Sequence, residues 1–493
     1  MRKIKNKRIR TLIILLIVVV VVGGLLVAAL LGPTFSSNWQ GRSFELLVRS
    51  ETMYIILIMA ALLLVFVLYM IRMVKKRNQE IGDMPNVLYD MALEALEKRE
   101  KMLRRRRRKP QPSTPSTPRR APRAAAAEEE VGEQDPRFYM LNDTDERMCH
   151  YVAPTYNDEI SFYELCERFR QFCAGNMKLY YDIADIRRFV ASLTVTHLIV
   201  MQGMSGTGKT SLAYAFGEFL QNQSVIVPIQ PMWKERTDMI GYYNEFTRRF
   251  NETTLLQKMY EANYNDEMYV TVLDEMNIAR VEYYFAEFLS LLELPNPDER
   301  YIDVVSDKWA SDPRQFKDGR IKLPENMWFV GTANNDDSTF AISDKVYDRA
   351  MILNLDTKCE RFAAPTVSKK PISASDFTAL VDKAIKEYGV SRRNAKRLEE
   401  LDKYLIEHFH ITFGNRIMKQ INTYIPVYVA CGGDELMALD DILSKKVIRK
   451  LETQNPIYLR NSAEGLLSFI DDLFGVDKMP ICKEHIHRLQ RNA

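Results

Sequence analysis

The apolar positions of the chain fall into two regimes. Near the start, residues 11–31 and 53–71 are unbroken runs without a charged side chain. Each is long enough to cross a bilayer as a helix at about 1.5 Å per residue. The first is too long for the apolar core of a cleaved signal sequence, and no small-x-small cleavage site follows it, so both runs read as retained transmembrane helices. From residue 138 the apolar residues come in shorter groups. Phe162, Leu165, Cys166 and Phe169 mark a helical lead-in over 138–177, and Ile183, Ile186, Phe189, Val190 and Leu193 then repeat at helical spacing. Apolar segments of strand length follow at 196–202, 224–228, 268–273 and 327–333. Residues 372–493 read as helix. The pattern predicts an α/β fold: a parallel sheet sandwiched by helices over 178–371, then an all-helical lid over 372–493.

Charge orients the first regime. The formal net charge is +3, yet residues 1–137 hold 25 Lys and Arg against 13 Asp and Glu. Arg2, Lys3, Lys5, Lys7, Arg8 and Arg10 precede the first run, and Arg72, Lys75, Lys76 and Arg77 follow the second; only Arg42 and Arg49 lie between. The positive-inside rule therefore places both ends of residues 1–77, and everything after them, in the cytoplasm. With no charge inside either run, nothing marks a transport path, and the pair reads as an anchor. Residues 78–137 form the connection. Within it, 84–103 has helical propensity and suits a lipid-surface, self-associating or solvated helix equally. Arg104 to Lys109 is a basic run, read as a patch beside an anionic leaflet in preference to a nucleic-acid site. Residues 110–133, rich in Pro, Ser, Thr, Arg, Ala and Glu, read as a disordered tether. Six cysteines without a C-x-x-C pair suit free thiols in a reducing compartment. Cys482, His485 and His487 lack a fourth metal ligand and read as fold residues.

The chemistry gathers where the strands end. After 196–202 comes Gly203-Met204-Ser205-Gly206-Thr207-Gly208-Lys209-Thr210, with Ser211 next; it fits the G-x-x-x-x-G-K-[ST] phosphate loop at every fixed position. Its glycines let backbone N–H groups approach phosphates, Lys209 brings charge to the β/γ end, and the Thr210 hydroxyl suits Mg²⁺. The strand at 268–273 ends in Asp274-Glu275, a metal-holding carboxylate followed by one that can polarise water. The strand at 327–333 ends at Asn334, a polar group within reach of a γ-phosphate. Arg349 and Arg416 are two further cations, each able to neutralise phosphate or to serve as an ordinary ion-pair partner.

Together these stretches resemble the AAA+ ATPases, in the branch holding the McrB-type restriction motor and the MoxR-like chaperones. The resemblance rests on the phosphate loop, on Asp238-Met239-Ile240-Gly241-Tyr242-Tyr243-Asn244, on Asp274-Glu275-Met276-Asn277 with the helix after it, on 323–334, and on Asp344 with Arg349. It covers about residues 180–355. It implies that Asn334 is sensor 1, Arg349 a finger reaching into a neighbouring subunit's site, and Arg416 a sensor 2 residue binding nucleotide. The chain departs from that pattern at Ile278, where the family has Arg and this chain supplies Arg280 two residues later. It departs again at Ala350, which stands where a second arginine is usual, and at Asn335-Asp336-Asp337-Ser338.

The function expected is that of a membrane-anchored, cytoplasm-facing ATPase that uses ATP and Mg²⁺, assembles as a homo-oligomeric ring and remodels a protein target. The alternatives are GTP as the nucleotide, and a nucleic-acid translocase partnered by a separate nuclease. No H-E-x-x-H occurs in the sequence, which disfavours a fused metalloprotease.

Overall fold

A computed structural model describes residues 135–156, 159–334, 339–356 and 358–492. The two apolar runs, the basic run, the tether and residues 335–338 lie outside it. Among the described residues no helix is long and apolar enough to cross a membrane.

The central sheet consists of β1 (Leu198–Gly203), β2 (Val225–Pro228), β5 (Tyr269–Asp274), β8 (Met327–Asn334) and β9 (Met351–Asn354). Two hairpins lie outside it: β3 (Gly241–Asn244) with β4 (Arg249–Glu252), and β6 (Tyr301–Asp303) with β7 (Arg320–Lys322). The sheet order is β2-β5-β8-β1-β9, and every pairing is parallel. Both faces are covered, as a parallel sheet requires. Ile199, Met201, Val270, Val272 and Val330 face one hydrophobic cluster, while Leu198, Val200, Tyr269, Leu273 and Phe329 face the other.

The helices of nucleotide-binding and lead-in sequence are α1 (Met140–Met148), α2 (Phe162–Met177), α3 (Ile183–Val195), α4 (Lys209–Phe219), α5 (Thr254–Ala262) and α6 (Ala286–Leu291). Phe169, Phe189, Phe216 and Phe219 from α2, α3 and α4 meet edge-on or tilted on the first face. Polar residues set the helix starts. Ser161 accepts the Glu164 N–H to begin α2, and Asp182 accepts that of Ala184 to begin α3. Further single-turn helices occur at Thr237–Ile240, Val281–Tyr284 and Asp344–Tyr347.

The C-terminal part is helical: α7 (Ala374–Glu387), α8 (Arg392–Phe409), α9 (Gly414–Ala430), α10 (Glu435–Lys446), α11 (Pro456–Phe474) and α12 (Pro480–Asn492). Ser373, Ser391, Asp434 and Asn455 cap the first, second, fourth and fifth of these. This part packs on α3 through α9. Buried Asp441 of α10 fixes that contact, since it meets Arg188 at 3.2 Å, Lys445 at 2.6 Å and the Tyr424 hydroxyl at 2.7 Å. His485 is part of the fold here, lying between the Ser444 hydroxyl and Glu452, each 3.1 Å away.

Candidate nucleotide site

The sheet register assembles the site before any side chain is considered. Gly203 at the end of β1 lies across from Asn334 at the end of β8, and Leu273 across from Gly331 puts Asp274 at the same edge. Ligands of open parallel sheets bind beyond these carboxyl ends. Residues 203–208 leave β1 here and turn into α4, whose N-terminus favours an anion.

The loop needs its glycines. Gly203 adopts φ 139° with a Cβ position 2.3 Å from the Leu355 carbonyl oxygen, so a side chain there would collide with backbone. Gly208 adopts φ 93° beneath Tyr181, whose hydroxyl donates to the Gly208 carbonyl at 2.8 Å. The aromatic ring from the α2–α3 connection thus buttresses the turn into α4.

Lys209 is buried, and its ammonium donates to the carbonyls of Gly203 (3.0 Å) and Met204 (2.8 Å). Burial pulls its pKa below the usual lysine value, against the opposing charges of Asp356, Asp274 and Glu275. A buried cation held by loop carbonyls, with carboxylates in range, fits a site built for polyanion and metal.

Asp274 and Glu275 divide their tasks by direction. Asp274 Oδ1 accepts from the Thr210 hydroxyl at 2.7 Å and the Thr332 hydroxyl at 2.9 Å. Glu275 follows in the left-handed region, φ 52° and ψ 47°, and its side chain is exposed. A non-glycine residue held there carries strain of about 1–3 kcal/mol. Thr332 helps to hold it, accepting the Glu275 N–H at 2.9 Å. Asn277 ties this turn to the next strand, donating to the carbonyls of Asn334 at 3.0 Å and Phe340 at 3.3 Å. The donor set of Thr210 and Asp274 suits a hard cation such as Mg²⁺.

Gly203 to Ser211, Asp274, Glu275 and Asn334 therefore share one edge. Arg349 and Arg416 do not contact it: among the described residues neither bonds to the phosphate loop, Asp274 or Glu275. Both guanidinium groups meet one carboxylate, Glu293, with Arg349 Nη2 at 2.7 Å and Arg416 Nη2 on the other oxygen. Asp344 pairs with Arg449 instead. The sequence gives Thr332, Asn277, Tyr181 and Glu293 no role of their own. Asn277 carried a signal, since it belongs to the Asp-Glu-Met-Asn motif, whereas the other three become visible only through long-range contacts.

A family model agrees with this geometry. Residues 198–350 match the family described as AAA domain (dynein-related subfamily). Residues 366–493 match a domain of unknown function, DUF8727. No curated protein gives a significant match. Among solved structures, a full-length MCM homolog from Methanopyrus kandleri is similar at 12% identity and TM-score 0.32, over 57% of this chain and 58% of that one. NtrX from Brucella abortus is similar at 13% identity and TM-score 0.24, over 62% and 66%. The chain thus spans less than two thirds of either. Residues 198–350 form a nucleotide-binding domain of the AAA kind, whose parallel sheet and following helical region fit the P-loop AAA+ fold.

Proposed function

We propose that the protein is a membrane-anchored ATPase, its catalytic part facing the cytoplasm, that works as a ring and couples Mg²⁺-dependent ATP hydrolysis to the remodelling of a protein target. The observation that carries the catalytic reading is the junction of Thr210, Asp274 and Thr332, with Glu275 turned outward at the next residue. In this reading the loop N–H groups and Lys209 bind the β/γ-phosphates, while Thr210 and Asp274 hold the metal. Mg²⁺ there would supply charge neutralisation of the transferred phosphoryl group. Glu275 accepts the proton of the attacking water, and Asn334 orients that water from the adjacent strand. Ring assembly is supported by Arg349, which does not reach its own phosphate loop and pairs instead with Glu293, an ion pair that opens if the arginine serves a neighbour's site. The anchor and its orientation rest on the two apolar runs and their flanking basic residues.

The test is retention of target by the full chain carrying Glu275→Gln, solubilised in detergent and captured with ATP present. A polypeptide held with ATP and released without it supports remodelling. Retention of nuclease-sensitive nucleic acid instead would replace that reading with translocation. Hydrolysis per chain should also rise with protein concentration; a flat curve on dilution would remove the ring.

A further inference from the structure

The segment that bears Arg349 is gripped by the C-terminal helices. Lys446, the last residue of α10, is 3% exposed. Its Nζ donates to the carbonyls of Tyr347 at 2.7 Å and Ala350 at 2.5 Å, and lies 3.5 Å from that of Asp348. The carbonyls of Tyr347 and Asp348 end the one-turn helix Asp344–Tyr347, where a helix leaves its last acceptors without intrahelical donors, and that of Ala350 directly precedes β9. Two more residues of the same region converge there. Arg449 pairs with Asp344 at 2.7 Å with its guanidinium 4.2 Å from the Tyr347 ring centre, and Gln420 of α9 donates to the Asp348 carbonyl at 3.4 Å. On the opposite side the Tyr347 hydroxyl meets Gln202, one residue before the phosphate loop. Burying an ammonium is costly, and packing alone would favour methionine in its place. What Lys446 supplies is a set of donors for one segment of backbone.

We propose that Lys446 is a positioning residue for Arg349, fixing the 344–350 segment so that the C-terminal helices determine how this arginine is presented to a neighbouring subunit. The proposal rests on the reading of Arg349 as a shared finger. It adds a residue outside the site and a route by which movement of residues 366–493 sets hydrolysis next door. Lys446 touches neither nucleotide nor water in this scheme, so its loss should impair giving a finger and spare receiving one.

The experiment uses the full-length chain with Lys446→Met, which keeps the packing and removes the donors. Binding of a fluorescent ATP analogue should be unchanged. Hydrolysis alone should fall about tenfold or more, within the roughly 10³–10⁵ that a finger supplies. Mixing with Lys209→Ala chains should restore activity, because those chains lend an intact finger to the intact Lys446→Met loop. Mixing with Arg349→Ala chains should not, because neither partner then offers a well-placed finger. Arg449→Leu, nearer the surface, should reproduce the same asymmetry with a smaller loss and stands in if Lys446→Met fails to fold. Wild-type turnover, or equal rescue by both partners or by neither in a variant that binds nucleotide, overturns the proposal. The control mixture of Lys209→Ala with Arg349→Ala separates the two ideas: without rescue there, Arg349 is not shared and the proposal falls with that reading.

Discussion

At the scale of single residues, the site works by separating neighbours. Asp274 and Glu275 are adjacent carboxylates, and in a straight strand they would already point to opposite faces. The left-handed backbone at Glu275 breaks the strand, so that Asp274 is held by two hydroxyls and Glu275 is left exposed. The half-buried member binds and the exposed member is available to a water. Glu275→Gln should therefore keep nucleotide affinity while turnover falls by about two orders of magnitude or more. Lys209→Ala should lose binding itself, measured by titration with the same fluorescent nucleotide. Wild-type turnover in Glu275→Gln would end its assignment as the base. Thr332 offers a finer test, because one hydroxyl accepts from the Glu275 backbone and donates to Asp274. Thr332→Val preserves shape and removes both bonds. Loss of one orienting hydrogen bond, about 1.4 kcal/mol, corresponds to roughly a tenfold slower turnover at unchanged binding. An unchanged rate would mean that the backbone alone sets the Glu275 turn.

At the scale of elements, what was legible in the sequence follows from burial. β1, β5 and β8 lie inside a parallel sheet covered on both faces, so they appear as continuous apolar runs, and the sequence locates them to within a residue or two. β2, an edge strand whose residues alternate between buried and exposed, is read only as the short apolar segment 224–228, and α3 is read from its helical spacing. The hairpins were not legible. β3 and β4 bury little more than Gly241 and Phe250, and β6 and β7 are three residues each, so no period stands out. The phosphate loop could be read because its chemistry is local in sequence. Glu293, Thr332 and Lys446 could not, because each acquires its role from a partner far along the chain. Lys446 also carries a testable electrostatic consequence. Burial pulls its pKa down to about 7; Asp348 opposes this, while Arg449, Arg416 and Lys450 add to it. Unfolded, the same lysine titrates at about 10.4. Between these values the unfolded chain binds more protons, so the contribution of Lys446 to stability rises with pH across that window. Relative to Lys446→Met, the wild-type protein should gain stability between pH 7 and pH 10, read as the difference in thermal midpoints. A difference that does not change with pH would show that the buried amine keeps an ordinary pKa.

At the scale of the whole molecule, the question is which side of a membrane the nucleotide site faces. The described residues form the nucleotide-binding domain and the helices on either side of it, and no helix among them is long and apolar enough to cross a membrane. The anchor we propose lies in residues 1–77, where ten Lys and Arg flank the two apolar runs on their outer sides and Arg42 and Arg49 alone lie between them. Translocating the flanks would carry that charge across the bilayer, whereas translocating the short loop carries two cations, matched in number by Glu45 and Glu51. The orientation in which 32–52 is outside is therefore favoured, and ATP, a cytoplasmic substrate, is then on the side of the site. Protease added to sealed inside-out vesicles should remove everything after about Arg77, leaving a fragment that contains both runs. In right-side-out vesicles the nucleotide-binding domain should stay intact until detergent is added. A chain that washes off the vesicles in alkaline carbonate would refute the anchor. Digestion of the domain from the outer face, with the vesicles still sealed, would instead retain the anchor and invert it, and the site would then have to find its nucleotide elsewhere.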